Sequence, residues 1–260
     1  MIGCIIQARM GSTRLPGKSM KKINGEVPML KFLLDQLSHT KLIDKIVVAT
    51  TNSPDDDEIF NFCESIDISC FRGESQDVLD RHYQCAKQYN FSTVVRITSD
   101  NPLSDPDIID TIITKFNLSN YDYITNEKPP TFPLGYAVEV FSFTSLEKAW
   151  KEATLPSERE HVTPYFHNNR NMFKQENYTN DEDLSNIRCT VDTMTDFILI
   201  EKIISKIRNR PIHLSNVLQL FSNEPSLLEI NKDIKHDGYE RSLEDDKKFL
   251  RNKLIDDGDN

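Results

Sequence analysis

Over its first 120 residues the chain alternates short apolar runs with longer segments whose apolar residues recur three and four positions apart. Ile2 to Ile6 reads as a buried strand, and the stripe Met29, Leu30, Phe32, Leu33, Leu34 and Leu37 after Pro28 reads as a helix. Lys45 to Thr50 is the next strand, and Asn52, Ser53 and Pro54 open a helix through Ile59, Phe60 and Cys63. Ser69 to Phe71 and Thr93 to Ile97 continue the strands, Asp77 to Tyr89 and Asp107 to Phe116 the helices. Strands that are apolar throughout need cover on both faces, and helical crossovers let them run parallel. The pattern therefore predicts an α/β fold with a mostly parallel central sheet and helices on both faces.

After residue 120 the alternation loosens. Tyr121 to Thr125 and Tyr136 to Phe143 read as strands around a proline-rich loop, KPPTFPLG, and Arg188 to Val191 as a further strand. Helical patterns fall at Ser145 to Ala153, around Arg159 to His167, and from Thr195 to about Ile207. The reading divides the chain into one main domain, 1–223, and a charged C-terminal extension, 224–260. The extension keeps Leu227, Leu228, Ile230, Ile234, Tyr239, Leu243 and Phe249, which predicts that it docks on the main domain.

A chain of 260 residues can bury one substantial core. A formal net charge of -10 argues against a duplex-binding face, because nucleic-acid affinity rests on many Lys and Arg contacts to phosphate. No apolar stretch approaches the roughly 20 residues that span a bilayer. Five cysteines, Cys4, Cys63, Cys70, Cys85 and Cys189, are scattered without a CxxC pair, and no apolar signal segment precedes the first strand, which predicts a reducing cytoplasm. The acidity is uneven: Arg9, Arg14, Lys18, Lys21 and Lys22 all fall within residues 1–25, which hold no carboxylate. Such a patch suits a small polyanion.

Most of that charge lies in the loop after the first strand, Gln7 to Lys18 (QARMGSTRLPGK). In an open α/β sheet this loop lies at the carboxyl edge, where ligands bind. Gly11 and Gly17 let backbone approach a ligand, Ser12 and Thr13 add hydroxyls, and Arg9, Arg14 and Lys18 supply three charges fit for a triphosphate. The run GSTRLPGKS is one residue too long for a Walker loop, and no GxGxxG is present in it. Asp100, after the strand VVRI, and Asp192, after Val191, each follow a strand end. Mg2+ takes oxygen ligands, commonly one or two carboxylates together with substrate phosphates, so this pair is the candidate metal site. Asp55, Asp56, Asp57 and Glu58 instead sit in the first turn of a helix, where negative charge favours the dipole.

The segment QARMGSTRLPGK resembles the signature of the CMP-sugar-acid synthetases, which include the 3-deoxy-manno-octulosonate and acylneuraminate cytidylyltransferases. The similarity is greatest to the branch typified by the spore coat polysaccharide biosynthesis protein F. It continues through FRGESQDVLDR (Phe71 to Arg81), VRITSDNPLSDP (Val95 to Pro106), YAVEVFS (Tyr136 to Ser142), EREHVTPY (Glu158 to Tyr165) and TVDT (Thr190 to Thr193). The resemblance implies a glycosyltransferase-A-like nucleotide-binding fold, CTP as donor, Mg2+ as cofactor and a homodimer. It places Ala8, Arg9, Ser12, Arg14 and Lys18 on base and phosphates, Arg72 and Asp77 in the nucleotide pocket, and the metal on Asp100 and Asp192. Asp77 can equally be a helix N-cap.

The expected reaction is cytidylyl transfer to a small anionic acceptor, with Arg9, Lys18 and Asp100 carrying the chemistry. The acceptor side is expected from KPPTFPLG, Glu139, Arg159, Glu160 and His161, and a dimer contact from the apolar residues of Tyr136 to Trp150. The alternatives are another nucleotidylyltransferase or a glycosyltransferase on the same fold, or a nucleotide-binding protein without turnover.

Overall fold

The computed structural model of the chain describes residues 1–234 and 238–258. Its centre is a seven-stranded sheet in the order β5-β4-β1-β6-β8-β7-β9. The strands are β1 (Ile2–Gln7), β4 (Lys45–Thr51), β5 (Ser69–Gly73), β6 (Thr93–Thr98), β7 (Tyr123–Thr125), β8 (Glu139–Ser142) and β9 (Gln175–Asn177). Only β8 runs against its neighbours, pairing antiparallel with both β6 and β7. A small antiparallel pair, β2 (Lys22–Ile23) and β3 (Val27–Pro28), follows the first loop.

Side chains alternate across β1: Cys4 and Ile6 join one buried cluster and Ile5 the other. The first cluster packs α1 (Met29–Leu37), α4 (Pro106–Leu118), α8 (Met194–Lys206) and α9 (Leu214–Asn223) on one face of the sheet. The second packs α3 (Val78–Gln88), α5 (Phe143–Glu152) and α7 (Pro164–Asn168) on the other. Helix starts follow local chemistry. Ser53, Asp77, Asp105, Ser142 and Thr193 each accept a backbone N–H in the first turn of the helix they precede. α2 (Asp57–Ser65) continues directly from the 3-10 turn that Ser53 opens.

Three sequence expectations are corrected. Arg188 to Val191 forms no regular strand; it makes one isolated bridge, Leu134 to Arg188, and a bond from Val191 N to Asp100 O at 2.8 Å. The helix expected over Arg159 to His167 is two, α6 (Pro156–His161) and α7, separated at Val162, whose φ is 71. Pro164 supplies the reason, since it lacks an N–H and obstructs the preceding helical turn. The apolar residues from Tyr136 to Trp150 do not form a free face: Tyr136, Val138, Val140, Phe141, Leu146 and Ala149 are all buried in the chain's own core.

The last helix, α10 (Gly238–Gly258), lies against α6. Ser157 donates to Asp246 from both N and Oγ, at 2.8 and 2.6 Å, and Ser242 Oγ meets His161 Nε2 at 2.8 Å and Glu160 at 2.9 Å. The contact is polar. Leu227 is buried, whereas Leu243 and Phe249 stay exposed, and the side chain of Tyr239 lies outside the described residues.

The proline-rich loop is seated by Gly135, at φ 111, where an added Cβ would stand 2.6 Å from the Cys189 carbonyl carbon and 2.7 Å from Thr190 N. Gly135→Ala is therefore expected to destabilise the fold by about 1–3 kcal/mol, read by chemical denaturation, before any clash is counted. Stability also depends on a buried imidazole. His82 donates from Nδ1 to Val78 O at 2.8 Å, its Nε2 has no partner, and burial with the nearby Arg96 charge holds its pKa well below 6.5. The unfolded chain thus takes up that proton more readily, so stability is full above the ordinary value and falls as pH drops below it. The melting temperature should decline between about pH 7 and pH 5, with a shallower slope in His82→Gln; an unchanged slope would clear His82 of this role.

Candidate active site

The carboxyl ends of β1 and β6 open into a cavity of about 390 Å³. Chain direction around β1 explains its position. β4 lies on one side and β6 on the other, so the connections diverge there and leave a crevice at the carboxyl edge.

The loop after β1 is compact and pinned from beneath. Gly17 N and Ser12 N both reach Met10 O, at 2.9 and 2.8 Å, while Met10 N donates to Asp56 Oδ1 at 2.6 Å. Asp56 is buried and also accepts the Thr51 hydroxyl, so one member of the acidic cluster holds this loop rather than serving only a helix dipole. Ser19 Oγ meets Ser99 Oγ at 2.9 Å, tying the loop to the end of β6. Ala8, Arg9, Ser12, Arg14 and Lys18 all line the cavity, as do Asp100 and Asp192.

Lys18 joins the two expected metal ligands. Its ammonium donates to Asp100 Oδ2 at 2.8 Å, Asp192 Oδ1 at 2.9 Å and Val191 O at 2.9 Å, which engages all three protons. Burial disfavours that charge, but the Coulomb attraction of Asp100 and Asp192 outweighs it and raises the Lys18 pKa. Asp192 also meets Arg14 at 3.2 Å and Arg188 at 2.9 Å. Burial alone would raise its pKa; Lys18, Arg14 and Arg188 together bring it below the ordinary carboxylate value. Arg188 in turn bonds Asp196, which is fully buried, closes the capping box at the start of α8 and accepts from Asn231 at 2.9 Å.

Several expected residues stand elsewhere. Arg72 donates to Thr51 O at 3.0 Å, Ser53 O at 2.8 Å and Asp57 at 2.6 Å, and so braces the end of β4 outside the cavity. Asp77 caps α3 and is ion-paired with Arg159, which also donates to Trp150 O at 2.7 Å. Those two residues clamp α6 to α3 and α5, and neither lines the cavity. Gly11 is exposed, with open space where a Cβ would stand, and does not line it either.

The wall holds residues that sequence reasoning passed over. Arg81 replaces Arg72 there: it is 2% exposed, donates to Glu74 O at 2.8 Å, and leaves its Nε without a partner. Burial and then the Arg9 charge bring its pKa to about 10, so it remains charged. Arg96, a charge inside an apolar strand and thus a readable signal, donates to Gln7 Oε1 at 2.9 Å and to Glu139. Glu139 also accepts the Tyr123 hydroxyl at 2.6 Å, and these partners outweigh burial to lower its pKa. Glu127, on the same wall, is pushed the other way, to about 7, by burial and then by Glu139. Leu134 and Gly135 of the proline-rich loop and Glu160 and His161 of α6 complete the far end.

A second group of possible metal donors, Asp105, Asp107 and His213, lies within 4.8 Å. Asp105 is spent on structure there, since its two oxygens accept Asp107 N at 2.9 Å and Leu214 N at 2.7 Å.

Comparison with known proteins places this architecture. A family model described as cytidylyltransferase matches residues 3–247. The chain is 32% identical over 231 residues to the spore coat polysaccharide biosynthesis protein SpsF of Bacillus subtilis, covering 85% of this chain and 94% of that one. A solved cytidylyltransferase from Leptospira borgpetersenii serovar Hardjo-bovis is 35% identical and superposes with a TM-score of 0.84, covering 90% of this chain and 99% of that one. The CMP:2-keto-3-deoxy-manno-octonic acid synthetase solved with CTP shares the fold, at a TM-score of 0.61 and 13% identity, covering 79% of this chain and 98% of that one. With its cationic loop and paired aspartates on one sheet edge, the chain belongs to the cytidylyltransferase family and is a CTP-dependent nucleotidyltransferase.

Proposed function

We propose that the chain transfers CMP from CTP to a small anionic acceptor, such as a sugar acid or a phosphonate, releases pyrophosphate, and uses Mg2+. The observation that carries this reading is the meeting of Arg9, Arg14 and Lys18 with Asp100 and Asp192 in a single cavity. Cations there suit a triphosphate, and the aspartates offer hard oxygen donors.

The donor set fits Mg2+. Two carboxylate oxygens and the Val191 carbonyl already surround one cationic centre at 2.8 to 2.9 Å. Oxygen ligands of this kind, shared with phosphates and water, are what Mg2+ requires. Held by Asp100 and Asp192, Mg2+ supplies charge neutralisation to the phosphates. The protein does the rest. Lys18, displaced from the carboxylates, turns its ammonium to the phosphates, and Arg9 and Arg14 hold the same group. The free Nε–H of Arg81 gives the nucleotide a donor that is already desolvated. An acceptor oxygen attacks the α-phosphorus in line as the bond to the β-phosphate oxygen breaks. Negative charge grows on the departing pyrophosphate, and the loop cations are placed to stabilise it. The acceptor stands toward Glu139, Glu160 and His161, where carboxylates and an imidazole can bond its hydroxyls.

Pyrophosphate released from CTP with Mg2+ and a panel of sugar acids and phosphonates tests the reading; a nucleoside diphosphate product would identify glycosyl transfer instead. Lys18→Met is expected to lower kcat on the order of 10²-fold with little change in acceptor KM. A rise in acceptor KM alone would reverse this orientation of the site. Asp100→Asn should abolish most Mg2+-dependent turnover while leaving the circular-dichroism melt intact, and full activity in that variant would remove the metal assignment.

A further inference from the structure

Behind the acceptor end lies a second, half-open cavity of about 200 Å³, bordered by β7, β9 and the loop after α7. Its walls include Tyr123, Lys128, His167, Arg170, Phe173 and Glu176. That volume is below the range of roughly 300–1,000 Å³ typical of drug-sized ligands, so it suits a small group.

The charges on its walls favour an anion. Lys128 and Arg170 contribute two cations, and Glu176, which accepts the Tyr121 hydroxyl at 2.9 Å, contributes one carboxylate. Partial desolvation lowers the Lys128 pKa against the opposing pull of Glu139 and Glu127, and the Arg170 charge adds to the lowering. His167 is neutral, its pKa brought to about 4 by burial and then by Lys128. The wall is held in shape, because Lys128 N donates to Asn177 Oδ1 at 2.8 Å and Asn177 Nδ2 to Pro129 O at 3.0 Å.

We propose that this cavity binds a small oxyanion, a phosphate, phosphonate or carboxylate group, between Lys128 and Arg170 and beside the neutral His167. The site also connects to the nucleotide cavity. The Tyr123 hydroxyl donates to Glu139, so its contact with His167 Nε2 at 3.2 Å is donated by the ring. The second cavity therefore lies at the outer end of a hydrogen-bonded row whose inner end, Glu139, faces the first.

The test uses the full chain saturated with CTP and without divalent cation, so that the cationic loop is already filled. Inorganic phosphate is titrated by calorimetry, with the His167 ring followed by NMR. Saturable binding that shifts the His167 resonance is expected, weakened about tenfold in Arg170→Met, a change of about 1.4 kcal/mol. Both Lys128 and Arg170 are exposed, so neither Arg170→Met nor Lys128→Met endangers the fold. Glucose 6-phosphate separates two sources of the same chemistry: tighter binding than phosphate identifies the acid group of a larger molecule, and equal binding a free ion. Absence of saturable binding, or equal affinity in wild type and both variants, overturns the proposal. Neither result bears on cytidylyl transfer, because acceptor turnover is not measured.

Discussion

The ammonium of Lys18 is the junction on which the site depends. It gathers three segments that are far apart in sequence, the loop after β1, the end of β6 and the stretch before α8, into one cluster of oxygens. Two carboxylates brought together without a cation would repel, and a buried ammonium without oxygens would shed its proton. Each half therefore offsets the charge of the other at the cavity's edge. The position that Lys18 occupies is surrounded by oxygen donors of the kind a hard cation takes.

A second charged row explains why one strand runs against the others. β8 is antiparallel to β6, so its first residue, Glu139, lies at the carboxyl edge opposite Arg96. A parallel strand would have brought its last residue there. From Glu139 the row passes through Tyr123 to His167, each member satisfied by the next. Buried polar groups of this kind are tolerable only when bonded, and here bonding also fixes Gln7 and Arg96 along the cavity floor.

The terminal helix takes part in the same region. Ser242 stands between Glu160 and His161, and since its single proton goes to Glu160, the imidazole donates to it from Nε2. Two residues of the cavity's far wall are thus oriented by a segment about 80 positions away.

The sequence by itself determined the layered sheet, because apolar strands and amphipathic helices of the right length have few other ways to bury themselves. It also determined the cationic loop and Asp100 after the end of β6, since charge, glycine and strand ends are local features, whereas Asp192 follows a stretch that forms no regular strand and is brought in by the Val191 to Asp100 bond. Tertiary structure decided which polar residues share a wall. Arg72 and Arg81 lie in one motif, of which the sequence favoured Arg72 for the nucleotide, yet Arg72 is taken by the end of β4 and Asp57, while Arg81 is carried into the cavity by α3. Asp77 and Arg159 satisfy each other, which no spacing along the chain reveals. Glu127 and Glu139 acquire opposite proton affinities only because one is beside Arg96 and Tyr123 and the other is not bonded to them. Such differences come from desolvation and through-space partners, and those are properties of the folded arrangement.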